Sequence, residues 1–264
     1  MAFDADSLQL LHNWPAGGDP VAISVAGGEV WIANGAGDRS HGVQDANTVL
    51  EMRANDGAIV HTYAMPNPGD VLAGSDGTAI AISEETESGP ASAFQLRSGS
   101  ASQIGTALGT RLTLDGKQMA RAGDSVYVLL GSGSGLSLQR LASDGFAAIA
   151  QLPLARGALA CGGNACYVAL GNADHGGVFR IDLDTGRTQG PWGGRYPQDV
   201  SVGGGNVWVV TPGPAVRAID ATTGGYASNA VALSGAGTDG QELASDAMDV
   251  WAVSNRQLVR ITAH

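Results

Sequence analysis

The feature that most constrains this chain is that it repeats itself. DPVAISVAGGEVWIA (Asp19 to Ala33) returns as YPQDVSVGGGNVWVV (Tyr196 to Val210). The same aromatic-centred pattern runs through the chain as EVWIAN around Trp31, TAIAIS around Ile80, SVYVLL around Tyr127, ACYVAL around Tyr167, NVWVVT around Trp208 and DVWAVS around Trp251. Successive copies lie 40 to 49 residues apart. That period matches a four-stranded propeller blade, a supersecondary unit that buries its apolar faces only by stacking on neighbours.

Each copy carries the same series of strand signals. A short apolar run (VAISVA, DVSVG) leads into a Gly-rich turn and then the aromatic run. A third, alternating segment follows a variable loop, as in VLEMRA, VFRIDL, AVRAID and LVRITA. It ends in NDG, SDG, DTG or TTG, where glycine supplies the positive φ of a tight hairpin. A more polar fourth segment completes the unit. The 40 glycines and 15% charged residues fit many turns rather than long helices.

The sixth unit stops after its third strand, at LVRITAH, whereas SLQLLHNW (Ser7 to Trp14) precedes the first unit as an orphan strand. Pairing Leu8–Leu11 with Val259–Ile261 would remove two exposed sheet edges. The expectation is therefore all-β: one six-bladed β-propeller of four-stranded antiparallel blades, closed by the N-terminal strand completing the last blade. The blades fall at residues 19–64, 69–108, 112–153, 156–192, 196–233 and 239–264, with residues 1–14 closing blade 6.

Formal net charge is −11, and Lys117 is the sole lysine. Without clustered positive charge, nucleic acid and anionic membranes are poor partners. No apolar run approaches the roughly 20 residues that span a bilayer. MAFDADSLQL lacks the basic-then-apolar order of a signal peptide. Cys161 and Cys166 occupy facing positions of the ACGGNACYV hairpin. A disulfide is the expected reading, with free core thiols and a functional site as alternatives. A disulfide would favour an extracytoplasmic location, periplasmic or secreted.

The motifs EVWIAN, NVWVV and VFRIDLDTG resemble those of the six-bladed NHL, virginiamycin-B-lyase-like and YVTN-type bacterial propellers, over essentially the whole chain. The resemblance implies a ligand site on the face around the central channel. Lyases of that kind use a His with a closely spaced Glu/His pair. No Glu-x-His occurs here, and only His41 and His175 fall in loops of that face. Lactonases of the six-bladed type hold a divalent cation with Glu, Asp and Asn.

Counting ten residues back from each anchor nominates a channel-mouth ring that includes Asp70, Lys117, Gln198 and Gln241, with Asp19, Gln118, Arg156, Arg195, Tyr196 and Asp239 beside it. This mixture of acid, base and amide suits a small polar or zwitterionic ligand. No cofactor is expected from the sequence; Asp19, Asp70 and Asp239 are the candidate oxygen ligands should a divalent cation bind, though their spacing is not diagnostic. Long loops, Asn34 to Asn47 above all, add candidate binding surface.

Two readings stay open. The first is a binding propeller that recognises a small polar ligand, a peptide or a partner protein through this face. The second is a lyase- or lactonase-type enzyme with its site at the channel mouth.

Overall fold

The computed structural model describes residues 1–35, 47–83, 91–107, 111–112, 117–132, 135–143, 145–153, 157–171, 176–194, 196–211, 213, 215–233, 242–246, 248–254 and 257–262. These residues contain strands and no helix. Six antiparallel sheets follow one another in chain order, as the blades of a six-bladed β-propeller. Blade 1 is Pro20–Ala26, Glu29–Asn34, Thr48–Arg53 and Ile59–Ala64. Blade 2 is Pro68–Ala73, Thr78–Ser83, Ala91–Arg97 and Ser100–Ala107. Blade 3 contains Met119–Ala122, Ser125–Ser132, Gly135–Ala142 and Gly145–Leu152. Blade 4 is Gly157–Gly162, Ala165–Leu170, Gly177–Asp182 and Thr188–Trp192. Blade 5 is Val200–Gly203, Asn206–Thr211, Ala215–Asp220 and a two-residue fourth strand, Val231–Ala232. Blade 6 has three strands, Glu242–Ser245, Asp249–Ser254 and Gln257–Thr262.

The hairpins form where glycine pairs allow them. Gly27 and Gly28 adopt φ of 61° and 83°, and Gly204 and Gly205 adopt 59° and 76°. Two consecutive positive-φ residues make the turn whose twist matches the flanking strands. Cys161 and Cys166 face each other across the blade 4 hairpin and are joined as a disulfide.

The chain divides into two compact units, Met1–Leu112 with Leu141–Ala147 and Thr113–Arg140 with Ala148–His264. In the first unit, Trp31, Ala33 and Tyr63 of blade 1 pack with Val71, Ala79, Ala81 and Leu96 of blade 2. Ser24 Oγ accepts the Ala73 N–H at 2.9 Å and ties the two first strands together. In the second unit, three clusters join blades 3 to 4, 4 to 5 and 5 to 6. The anchors Tyr127, Tyr167 and Trp208 are all buried there. The hydroxyls of Ser201 and Ser245, 2.6 Å apart, repeat the tie between the first strands of blades 5 and 6.

The N-terminal segment forms a hairpin of its own. Leu10–His12 pairs with Ala2–Phe3 in a two-stranded sheet, and blade 6 counts three strands among the described residues. The reason is local. The Asp4 carboxylate accepts hydrogen bonds from the N–H groups of Asp6 and Ser7 and from the Ser7 hydroxyl. Leu8 takes a positive φ of 56°, which turns the chain back on itself. Closing so short a loop costs little chain entropy.

Candidate functional site

The second unit brings together residues from four blades. Lys117 enters the first strand of blade 3, and its carbonyl accepts the Leu159 N–H of blade 4 at 2.7 Å. Its ammonium donates to the Leu243 carbonyl of blade 6. The same ammonium lies 4.0 Å from the Asp199 carboxylate of blade 5. Asp199 is almost wholly buried, whereas the Lys117 side chain is 42% exposed.

Asp199 is held from three directions. One oxygen accepts the Val200 N–H at 2.8 Å, and the other accepts the Leu243 N–H at 2.7 Å. Burial pushes its carboxyl above the ordinary carboxylate value, against the pull of the Lys117 charge and the two N–H donors. A carboxylate so placed is costly to leave without its cation. Lys117 therefore pairs with the buried acid while keeping a solvent-facing side.

Strand register shows why Asp199 was not nominated from sequence. Two residues past each anchor, the second strand pairs with Ala22, Asp70, Gln118, Ala158, Asp199 and Glu242 in blades 1 to 6. A constant offset from the anchor reaches this position only in blade 2. There the hairpin carries three residues, Ser75 to Gly77, where blade 5 has two, Gly204 and Gly205. Asp70 and Asp199 are thus register equivalents, and each carboxylate accepts the N–H of the following valine at 2.8 Å. The shared Asp-Val of GDVLAG and QDVSVG was the available signal.

The other nominated residues fall as follows. Gln118 is buried beside Lys117, and its carbonyl accepts the Leu129 N–H. Gln198 is exposed, and its N–H donates to the Val210 carbonyl at 3.0 Å. Tyr196 is exposed, with φ of 54°. In the first unit, Asp70 is buried at the start of blade 2, and the Asp19 carbonyl accepts the Gly35 N–H of blade 1. His41, Arg156, His175, Arg195, Asp239 and Gln241 lie outside the described residues. Among the described residues, no three His, Cys, Asp or Glu side chains converge as a metal-binding group. No helix there is long and apolar enough to cross a membrane.

No protein-family model and no curated protein matches the sequence. Solved structures do match in fold. A hydrazine synthase structure from Kuenenia stuttgartiensis aligns with TM-score 0.71 and 13% identity, covering 99% of this chain and 88% of that one. Virginiamycin B lyase from Staphylococcus aureus aligns with TM-score 0.63 and 17% identity, covering 94% and 85%. The WD40 propeller domain of Doa1 aligns with TM-score 0.65 and 11% identity, covering 95% and 81%. At these identities the likeness is one of architecture, and propellers host both binding and enzymatic activities. The chain is a β-propeller similar to these structures in fold.

Proposed function

We propose that the chain is a binding propeller whose ligand contacts the end of the sheets where Lys117 and Asp199 meet. The observation that carries this reading is one ammonium shared between a buried carboxylate and the Leu243 carbonyl, with a side open to solvent. A ligand bearing both charges can answer both groups. Its acidic end pairs with Lys117, and its amino end replaces the lysine at Asp199 or Leu243. Small zwitterions and peptide termini have that chemistry. The disulfide supports an extracytoplasmic setting for this binding.

The test is a thermal-shift series with amino acids, dipeptides and divalent cations on the wild type and on Lys117→Met. A ligand that binds only the folded form raises Tm with its concentration. A dose-dependent rise that Lys117→Met abolishes supports the reading. Equal rises in both proteins, or none from any amino acid or dipeptide, overturn it. Turnover of any binding compound would instead favour the lyase- or lactonase-type alternative.

A further inference from the structure

Blade 5 breaks the pattern of its neighbours at its third strand. Arg217 pairs across the strand with Val209. The register-equivalent residues are Leu50 in blade 1, Phe94 in blade 2, Gln139 in blade 3, Phe179 in blade 4 and Val259 in blade 6. Four of those five are apolar. In blade 4 the arginine, Arg180, comes one place later and faces Tyr167. Because side chains alternate along a strand, that single step puts Arg217 on the opposite face from Arg180.

Arg217 borders an open depression on the blade. A space of about 570 Å³ is lined by Arg217, Tyr226 and residues 227–230. The guanidinium carbon lies 4.6 Å from the Tyr226 ring centroid, so the ring covers one face of the cation. Its Nε is sealed from solvent and has no acceptor among the described residues.

Arg53, Arg180 and Arg260 each pair with an aspartate, whereas no ion pair among the described residues includes Arg217, Arg97, Arg121, Arg140 or Arg187; of these five, Arg217 is the one covered by an aromatic ring. Acidic residues outnumber basic ones by 25 to 14 in this chain, so the missing partner is not for want of carboxylates.

The wall opposite is anchored. The Tyr226 hydroxyl donates to the Gly193 carbonyl. Ser228 Oγ accepts the Ala218 N–H at 3.1 Å and donates to the Asn229 carbonyl at 3.1 Å. Gly224, at φ of 73°, seats against the Trp192 indole where any side chain would collide. This stretch stands where blades 1 to 4 run a longer fourth strand, and only Val231–Ala232 pairs regularly there.

We infer that this depression on blade 5 binds a carboxylate, with the Arg217 guanidinium as its receptor. A planar guanidinium meets a carboxylate through two parallel hydrogen bonds. The volume suits a small organic acid or the end of a peptide. The site is separate from the Lys117–Asp199 group and does not depend on it.

The experiment follows the Arg217 Nε–Hε resonance in 15N-labelled protein, assigned by its loss in Arg217→Lys. Succinate is titrated in one arm. A neutral tripeptide with a free or amidated C-terminus is titrated in the other, and sodium chloride is the control. A saturable shift is expected, with at least about 10-fold weaker binding in Arg217→Lys because the fork is lost, and affinity within about 2-fold of wild type in Arg53→Lys, whose arginine is exposed and paired with Asp56 in blade 1. Binding of succinate identifies a free acid as the ligand class. Preference for the free over the amidated peptide identifies a chain terminus.

No saturable shift in either arm overturns the site, as does an equal response to chloride. Unchanged succinate affinity in Arg217→Lys, followed on the neighbouring backbone resonances, overturns it as well.

Discussion

Blades 4 and 5 are neighbours built on one register, and they use it differently. Blade 4 places Ala158 at the start of its first strand and Phe179 in its third, closes its first hairpin with a disulfide and ends in the five-residue strand Thr188–Trp192. Blade 5 places Asp199 and Arg217 at the equivalent positions and shortens its fourth strand to two residues. Both blades bury their anchors, Tyr167 and Trp208, almost completely. The framework therefore rests on the second strands and their anchors, and the flanking positions are free to carry charge. Blade 5 spends that freedom on a buried carboxylate and a half-buried guanidinium.

The strongest way to break this contrast is to force blade 5 chemistry onto blade 4. Phe179→Arg would remove a buried ring and install a cation with no covering tyrosine. The expected loss is about 3–5 kcal/mol, as for loss of a large buried aromatic, read by chemical denaturation. A loss under about 1 kcal/mol would show that any blade tolerates the guanidinium, and that Arg217 marks nothing special.

Lys117→Met comes next, because it leaves the buried Asp199 without its cation. A loss of about 1–3 kcal/mol in the same assay is expected. Double substitution with Asp199→Asn should recover part of it, since the uncompensated charge is then gone.

Arg217→Leu restores the apolar character of the position. Stability should hold or rise by about 1 kcal/mol, since it deletes a sealed Nε that lacks an acceptor among the described residues, while carboxylate binding disappears. A clear loss of stability would make the guanidinium a structural member of the blade.

The subtlest contrast is in pH dependence. Asp199 carries a folded-state pKa above its unfolded value, so the folded state holds the extra proton between the two. Its contribution favours folding at low pH and is lost as pH rises through the raised folded value. Glu29, raised by burial and by the neighbouring Glu51 carboxylate, acts in the same direction. Turn aspartates such as Asp182 and Asp220 are lowered by the Thr185 donors and by the Thr222 and Thr223 donors, and act in the opposite direction. The difference curve between wild type and Asp199→Asn isolates the buried acid. Wild type should lose stability relative to the variant as pH is raised from 4 towards neutrality, and a flat difference curve would contradict the shift.

The repeat was legible because it is a local signal. Alternation within a strand, positive-φ glycines in a hairpin and the spacing of anchors all depend on near neighbours in the chain. Six copies of one pattern thus identify six sheets, and facing positions on one hairpin identify the Cys161–Cys166 pair. The offset of ten residues from each anchor assumed equal hairpins, so it reaches the register position of Asp199 only in blade 2. The extra residue between Ala73 and Ala79 in blade 2 breaks that assumption. Lys117 was nominated by composition and offset. Its partner Asp199 was passed over beside Gln198, although the Asp-Val pair of blade 2 pointed to it.

The sequence by itself determined the number of sheets, their strand order and which residues anchor them, because each follows from periodicity that the backbone enforces locally. Only the tertiary structure decided that Lys117 meets Asp199 and Leu243 from other blades, that Tyr226 covers Arg217, and that the N-terminal strand pairs with Ala2–Phe3. The first two are meetings of residues brought together by packing and strand register, not by chain proximity. The third closes a short loop, at little cost in chain entropy.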